Sequence, residues 1–431
     1  MISERINRIK GVKDLLPDET PVWRYVEKHI GRTMALYGYQ EIRTPAFEAT
    51  ELFRRGVGEG TDIVNKEMYT FTDLGGKELT LCPELTAPVI RAYIENNMGA
   101  VTPISRLYYI DSLFRQERPQ KGRLRQFHQF GAEAIGSPYP EQDVEIIALA
   151  FELCVSFAVG KVRVRLNTLG SPAHRGTYLE DLRGALTRYG DQLSELDRYR
   201  LENNPLRIFD SKDTHTQKIV AQYAPPLWDY ISNEDREHFQ SVRNGLEALK
   251  IPFEQDPSLV RGLDYYTRTT FEITSERLGA QDAICGGGRY DDLVEELGGK
   301  SVPAVGFATG IERLLLAAHE RPKEVPLRQP LDIFLVFEPE PASATAIRLA
   351  QRLRQNGYSV VMETLRRSIK AQFREANRLG AHWTLILGGK EMAAGRVEIK
   401  EMLTGTQKTV SLESIFSSSR GYKQILKSFS L

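Results

Sequence analysis

From Gln126 to Ile135 apolar and polar residues alternate, which predicts a strand. Side chains alternate faces on a strand. Phe127, Gln129, Gly131, Glu133 and Ile135 therefore share one face, and His128, Phe130, Ala132 and Ala134 the other. The second face is mostly apolar and belongs against a core. The first sets Gln129 and Glu133 on either side of a glycine, roughly 13 Å apart along an extended chain, which leaves room for a bound group. Upstream, a run ending at Phe114 leads into Arg115, Arg118, Lys121, Arg123 and Arg125, gathered around a turn candidate at Pro119–Gly122. Two readings of this stretch stay open. One is a basic hairpin tip in solvent followed by a half-wet strand. The other is a cationic loop beside a polar slot, suited to a phosphate-bearing ligand next to a small polar one.

The same periodicities order the rest of the chain. Asp18–Tyr37 has helical apolar spacing at Val22, Tyr25, Val26, His29 and Ile30, with Pro21 suited to a first turn, and Gly38 ends it. Tyr39–Phe47 is extended, and Pro45 assigns it to an edge or an interface. Glu78–Leu81 reads as a strand stopping before Pro83. Thr86 then caps a helix from Ala87 to Asn96, with Glu84 in the intervening turn. From Asn167 to about Leu249 the chain is polar and helical, for example over Tyr178–Tyr189 and Arg236–Leu249, and carries no motif.

Leu259–Ile273 passes from an Arg261–Gly262 pair, where backbone can approach a ligand, to a β-rich tail beginning at Thr267. Strand geometry sends Tyr265 and Tyr266 to opposite faces unless the strand bends. Gly286–Gly288, ahead of Arg289, removes side chains where a ligand or backbone must come close. The GxxxxGK[ST] phosphate loop is absent throughout. Val305–Ala318 reads as strand, Gly310, then helix, with Arg313 in the first helical turn. A cation there opposes the helix dipole and hints at an anionic ligand, an ordinary surface arginine being the alternative. His319–Pro330, with Pro322, Pro326 and Pro330 among charges, marks a linker. Beyond it, strands at Asp332–Phe337, Ser359–Met362 and Trp383–Leu387 alternate with helices at Ala342–Asn356 and Ile369–Leu379. That predicts a small α/β domain with a largely parallel sheet, closed by a hairpin of Arg396–Leu403 and Gln407–Val410.

Length and charge sharpen this outline. A chain of 431 residues calls for two or more domains. Basic and acidic residues are equal in number, but Leu331–Leu431 holds fifteen Lys/Arg against nine Asp/Glu, which leaves the rest acidic. A basic segment on an acidic body fits a polyanion partner, with chance asymmetry as the alternative. Cys82, Cys154 and Cys285 are odd in number, far apart and in no CxxC pair. They argue against a disulfide framework or a zinc site, and for a cytoplasmic location. No run of about 18 apolar residues and no apolar signal core near the N-terminus occur, so no membrane role is expected.

Three stretches carry a resemblance. SLFRQERPQKGRLRQFHQFGAEAIG (Ser112–Gly136) resembles motif 2 of a class II aminoacyl-tRNA synthetase. LVRGLDYYTRTTFE (Leu259–Glu272) and GGGRYDDL (Gly286–Leu293) resemble signatures of the histidyl-tRNA synthetase family. The likeness runs from Ile9 to about Val410. It implies an α+β catalytic domain built on an antiparallel sheet at 1–325, with a helical insertion at about 170–250. A linker at 326–331 and a C-terminal α/β anticodon-binding domain at 332–431 would follow. The helix and extended run of Asp18–Phe47 would be motif 1, which builds a homodimer interface; an edge strand covered by its own helix is the alternative. The insertion would lie near the tRNA acceptor stem, or serve as a structural appendage.

The implied activity is ATP-dependent conversion of L-histidine to histidyl-adenylate and transfer to the 3′ end of tRNA-His. Arg261 and Arg115 would be catalytic, on the α-phosphate. Glu84, Leu85, Thr86, Arg115, Gln129, Glu133, Arg261, Tyr265 and Tyr266 would surround histidine. Arg115, Arg123, Gln129 and Arg313 would hold ATP, accompanied by Mg²⁺. Arg118, Gln120 and Lys121 would meet the tRNA acceptor end, and no metal site in the protein is expected. Two positions depart from the family pattern: Cys82 stands where arginine is usual, and Leu85 where glycine is frequent. Phosphoryl transfer needs positioning and charge neutralisation more than covalent help, which accounts for so many arginines.

Overall fold

The computed structural model describes residues 5–120, 122–279, 282–318, 325 and 331–417. The chain divides into two units, Met1–Val325 and Pro326–Leu431. In the first unit the strands are β1 (Gln40–Glu41), β2 (Phe47–Ala49), β3 (Tyr69–Thr72), β4 (Glu78–Leu81), β5 (Ser105–Phe114), β6 (Gln126–Ile135), β7 (Val162–Thr168), β8 (Phe253–Gln255), β9 (Thr267–Ser275), β10 (Ala283–Arg289) and β11 (Ala304–Gly310). Eight of them form one sheet in the order β1-β5-β6-β11-β10-β9-β7-β8. Only the end pairs β1–β5 and β7–β8 are parallel; the rest are antiparallel. The extended run expected over Tyr39–Phe47 is broken in two: β1 joins this sheet, while β2 joins β4 and β3 in a separate small one. Pro45 lies between them and has no N–H to give to either ladder.

The alternation along β6 decides what it buries. Phe130, Ala132 and Ala134 enter a core with Ile30, Ile147, Leu153 and Phe239, supplied by the helices Thr20–Leu36, Pro140–Ser156 and Asn233–Ala248. The opposite face, for which a half-wet strand is one of two open readings, is half-buried at Phe127 and Gln129 and fully buried from Gly131 to Ile135. Ile135, with Phe127 against it, belongs to a second core beside Val89, Tyr109, Tyr265 and Tyr290, and Glu133 keeps only 1% of its surface exposed. A carboxylate so enclosed requires hydrogen-bonding partners. Between β7 and β8 lie the helices Pro172–Thr187, Glu195–Asn203, Thr214–Tyr223 and Asn233–Ala248. The first three share a small core of their own around Tyr178, Leu182 and Ile219, whereas the last buries Phe239, Val242 and Leu246 against the main sheet.

The second unit carries β12 (Leu331–Phe337), β13 (Val360–Met362), β14 (Ala381–Leu387), β15 (Arg396–Glu401) and β16 (Gln407–Ser411), in the order β13-β12-β14-β15-β16. The first three are parallel and the last two antiparallel, so the sheet is mixed rather than largely parallel. The turn at Thr404–Gly405 is too short for a crossover and enforces a hairpin. Residues 326–330 of the expected linker lie outside the described residues. No helix among the described residues is long and apolar enough to cross a membrane.

Candidate functional site

Strands β6 and β11 pair with Glu133 opposite Gly306 and Gln129 opposite Gly310. A side chain at Gly306 would occupy the space of the Glu133 carboxylate, so glycine there is a steric requirement. That carboxylate accepts from Thr86 Oγ1 at 2.9 Å, from the Tyr109 hydroxyl at 3.2 Å and from the Tyr290 hydroxyl. Burial pushes the Glu133 carboxyl up to about 8, against the pull of those hydroxyls. Glu84 is enclosed too, and burial raises its carboxyl despite two backbone donors, Ala87 N at 3.0 Å and Thr86 N at 2.8 Å. These donors open the helix Thr86–Glu95, whose N-cap position is Leu85. Glu84 therefore closes the helix start, not Thr86 as its residue type predicts. The Thr86 hydroxyl is thereby released to serve Glu133.

Tyr265 and Tyr266 do not point to opposite faces. They precede β9 in a turn, their ring centroids lie 4.7 Å apart, and both are buried in the second core, together with Leu85. Burial raises the Tyr266 phenol; the Arg261 guanidinium tempers this and Glu133 reinforces it.

In front of this enclosed group opens a cavity of about 610 Å³. Arg115, Arg123, Arg261 and Arg313 line it, with Gln129 on its wall. Each arginine is held by a different segment. Arg115 Nε donates to the Pro83 carbonyl at 2.8 Å, and its guanidinium lies 5.2 Å above the Phe127 ring. Arg123 reaches Glu117 at 3.2 Å. Arg261 pairs with Glu272 and rests on Gly286, where any Cβ would collide with the guanidinium; its Nε is buried with no hydrogen-bond partner. Arg313 donates from Nε and Nη2 to the Ala283 carbonyl, at 3.0 and 2.8 Å. Burial lowers the Arg313 pKa, and Arg123 lowers it further, so an anion between the two would relieve both effects. Gly122, at φ +78°, brings the basic loop against Leu316 and Arg313.

Of the residues singled out in the sequence, Arg115, Arg123, Gln129, Arg261 and Arg313 line this one cavity. Glu84, Leu85, Thr86, Glu133, Tyr265 and Tyr266 are buried and are not part of its lining. Arg118 and Gln120 are exposed on the loop, Gln120 exchanging two 3.0 Å backbone bonds with Arg123. Lys121 lies outside the described residues. Cys82 is buried, its Sγ against the Pro45 carbonyl at 3.3 Å, so that position offers no charge.

Sequence reasoning missed the Tyr109 and Tyr290 hydroxyls, although Tyr290 stands only two residues beyond the glycine run. It anticipated the insertion but not that this segment sends Arg200, Arg207 and Lys212 to the cavity wall. Arg207 Nη1 donates to the Arg261 carbonyl (2.9 Å), Arg175 Nη2 to the Tyr266 carbonyl (2.8 Å) and Asn204 Nδ2 to Asp264 (2.7 Å). The insertion thus fastens the 261–266 loop.

Comparison with known proteins agrees with this arrangement. The histidyl-tRNA synthetase family model matches residues 11–314, and an anticodon binding domain model matches residues 333–418. The histidine–tRNA ligase of Synechococcus sp. (strain JA-3-3Ab) is 46% identical over 407 residues, 94% of this chain and 97% of that protein. That of Listeria monocytogenes serovar 1/2a is 44% identical over 420 residues, 96% and 99% of the two. The crystal structure of apo S. aureus histidyl-tRNA synthetase aligns with a TM-score of 0.78 at 36% identity, covering 96% of this chain and 100% of that one. A large antiparallel sheet with a helical insertion, followed by a separate anticodon-binding unit, defines a class II aminoacyl-tRNA synthetase. More narrowly, the chain belongs to the histidyl-tRNA synthetase family.

Proposed function

We propose that this chain activates L-histidine with ATP and transfers it to the 3′ end of tRNA-His, with both steps at the arginine-lined cavity. The observation that carries the reading is the convergence of Arg115, Arg261 and Arg313 on one cavity beside the buried Glu133. Arg115 and Arg261 neutralise the α-phosphate, and Arg313 with Arg123 the β/γ tail. The histidine ring donates its N–H to Glu133 and accepts from the Gln129 amide, while Glu84, Thr86, Tyr265 and Tyr266 enclose the amino acid. The histidine carboxylate attacks the α-phosphorus in line and pyrophosphate leaves. The terminal ribose hydroxyl of the tRNA then attacks the activated carbonyl, its proton passing to a phosphate oxygen as AMP departs. Wild-type protein is expected to exchange pyrophosphate into ATP with histidine and with no other standard amino acid; a different cognate amino acid would refute the pocket assignment.

Mg²⁺ enters with the nucleotide in this reading. Among the described residues no cluster of three candidate ligands could hold a metal, so the phosphates would supply most of its ligands. Glu67 and Glu117 line the same cavity; burial and the neighbouring Glu117 both raise the Glu67 carboxyl, a strain that a cation would relieve. When bound, the ion offsets charge on the β/γ-phosphates. A second copy of the chain would cover the small sheet, where the Phe47 and Phe71 rings pack 6.3 Å apart yet stay 49% and 44% exposed. Sedimentation velocity checks this homodimer, and a single-chain mass at micromolar concentration would exclude it. Three free cysteines, all buried, support a cytoplasmic setting.

A further inference from the structure

A second cavity, of about 350 Å³, lies between residues 60–66 and the insertion helix Glu195–Asn203. Its size falls within the range that small-ligand pockets occupy. It shares Asp62, Arg200 and Arg207 with the arginine-lined cavity, so the two are neighbours. Its own lining combines three kinds of chemistry. Lys66 adds a third cation to Arg200 and Arg207; Asp62, the one carboxylate in the lining, stands 3.8 Å from Lys66 and 3.9 Å from Arg207, while Asp197 and Asp210 outside the lining hold Arg200 and Arg207 at 3.1 and 2.8 Å. Tyr199 and Leu196 keep 52% and 45% of their surface exposed, leaving apolar faces uncovered beside the cations. Asn65, Asn203 and Asn204 each donate Nδ2 to a protein oxygen, which fixes the amide and leaves its oxygen as an acceptor.

Cations for a phosphate, an aromatic face for a base and amide oxygens for an exocyclic amine together describe a nucleotide in a single strand. The wall is also registered to the first cavity, because Asn204 and Arg207 bond to Asp264 and to the Arg261 carbonyl. We propose that this pocket receives the nucleotide preceding the terminal adenosine of the tRNA. Its phosphate lies on Lys66 and Arg200, and its base, one bearing an exocyclic amine, lies against Tyr199. The terminal ribose is thereby delivered to the arginine-lined cavity. This rests on the reading that aminoacyl transfer occurs there; failure of that reading would show separately, as wild-type protein without pyrophosphate exchange.

The test uses full-length protein with Tyr199→Ala and Lys66→Ala, both at exposed side chains. Histidine-dependent exchange, which needs no tRNA, should stay within twofold of wild type. Aminoacylation kcat/KM for tRNA should fall about tenfold in Tyr199→Ala, the low end of what losing one base–aromatic stack costs, and recover in Tyr199→Phe. Lys66→Ala should lower kcat/KM and remove about one phosphate contact from its salt dependence. A tRNA whose penultimate base is replaced by an abasic ribose should lose about tenfold with wild type and nothing further with Tyr199→Ala. Wild-type kcat/KM in both variants, additive losses with the abasic tRNA, or exchange lost in step with aminoacylation would each overturn the proposal.

Discussion

Arg261→Ala should lower histidine-dependent pyrophosphate exchange by about 10²–10³, the usual cost of removing one preorganised donor from a developing oxyanion. The loss should fall mainly on the rate, with smaller changes in KM for ATP and histidine, because charge on the α-phosphate builds most in the transition state. Three features make this residue hard to replace. Its guanidinium rests on Gly286, which admits no side chain, its Nε is buried without a hydrogen-bond partner, and Glu272 anchors its other edge. Lysine would bring a point charge without the planar fork, so Arg261→Lys should recover little. Alanine also takes the nearer cation from the half-buried Glu272, which keeps Arg165 at 3.6 Å, so some stability is lost as well. The double variant Arg261→Ala/Glu272→Gln separates the two effects. It should restore the urea midpoint while exchange stays low. Exchange within tenfold of wild type in that double variant would remove Arg261 from the chemistry and leave Arg115 as the α-phosphate group.

What the sequence made legible follows physical range. The period-2 pattern of β6 is local, and the strand runs from Gln126 to Ile135 as read. The basic loop was legible for the same reason: its arginines lie within a few residues of one turn. The roof over Glu133 was not, because it is built by Tyr109, Tyr265 and Tyr290, three rings brought together only by the sheet order β5-β6-β11-β10-β9. A residue-type preference placed the helix cap on Thr86, whereas a carboxylate one position earlier than the N-cap reached both free N–H groups. The Tyr265–Tyr266 pair was read as strand because the tail beyond Thr267 is strand, and the turn residues Gly262 and Asp264 just ahead of it did not override that reading. The insertion looked motif-free since Arg175 and Arg207 meet their partners 91 and 54 residues away. Guanidinium-to-carbonyl bonds of that span leave no spacing to detect.

Glu133→Gln carries the second large effect. A site built to hydrogen-bond a ring N–H rejects analogues lacking it by about 10⁴. Losing the charge of the acceptor should cut that discrimination by about 10², the upper part of the range for a hydrogen bond to a charged group. The pH dependence is the sharper readout. With its carboxyl at about 8, Glu133 is mostly protonated at pH 7 in the ligand-free protein. The form that accepts the ring N–H is the carboxylate, and its fraction grows tenfold per unit below that value. The histidine KM should therefore fall as pH rises from about 6.5, where the free imidazole has lost its own proton, towards 8. Binding at pH 7 should release close to one proton, countable by calorimetry in buffers of different ionisation heat. The same raised value implies that the ligand-free fold loses stability as pH climbs from 4.5 to about 8, since the unfolded carboxyl ionises first. In Glu133→Gln the proton release and this loss should both disappear. A variant that still releases the proton would assign it to a neighbour, with Glu84 the nearest candidate by burial. Unchanged selectivity would mean that the ring nitrogens are read by some other group.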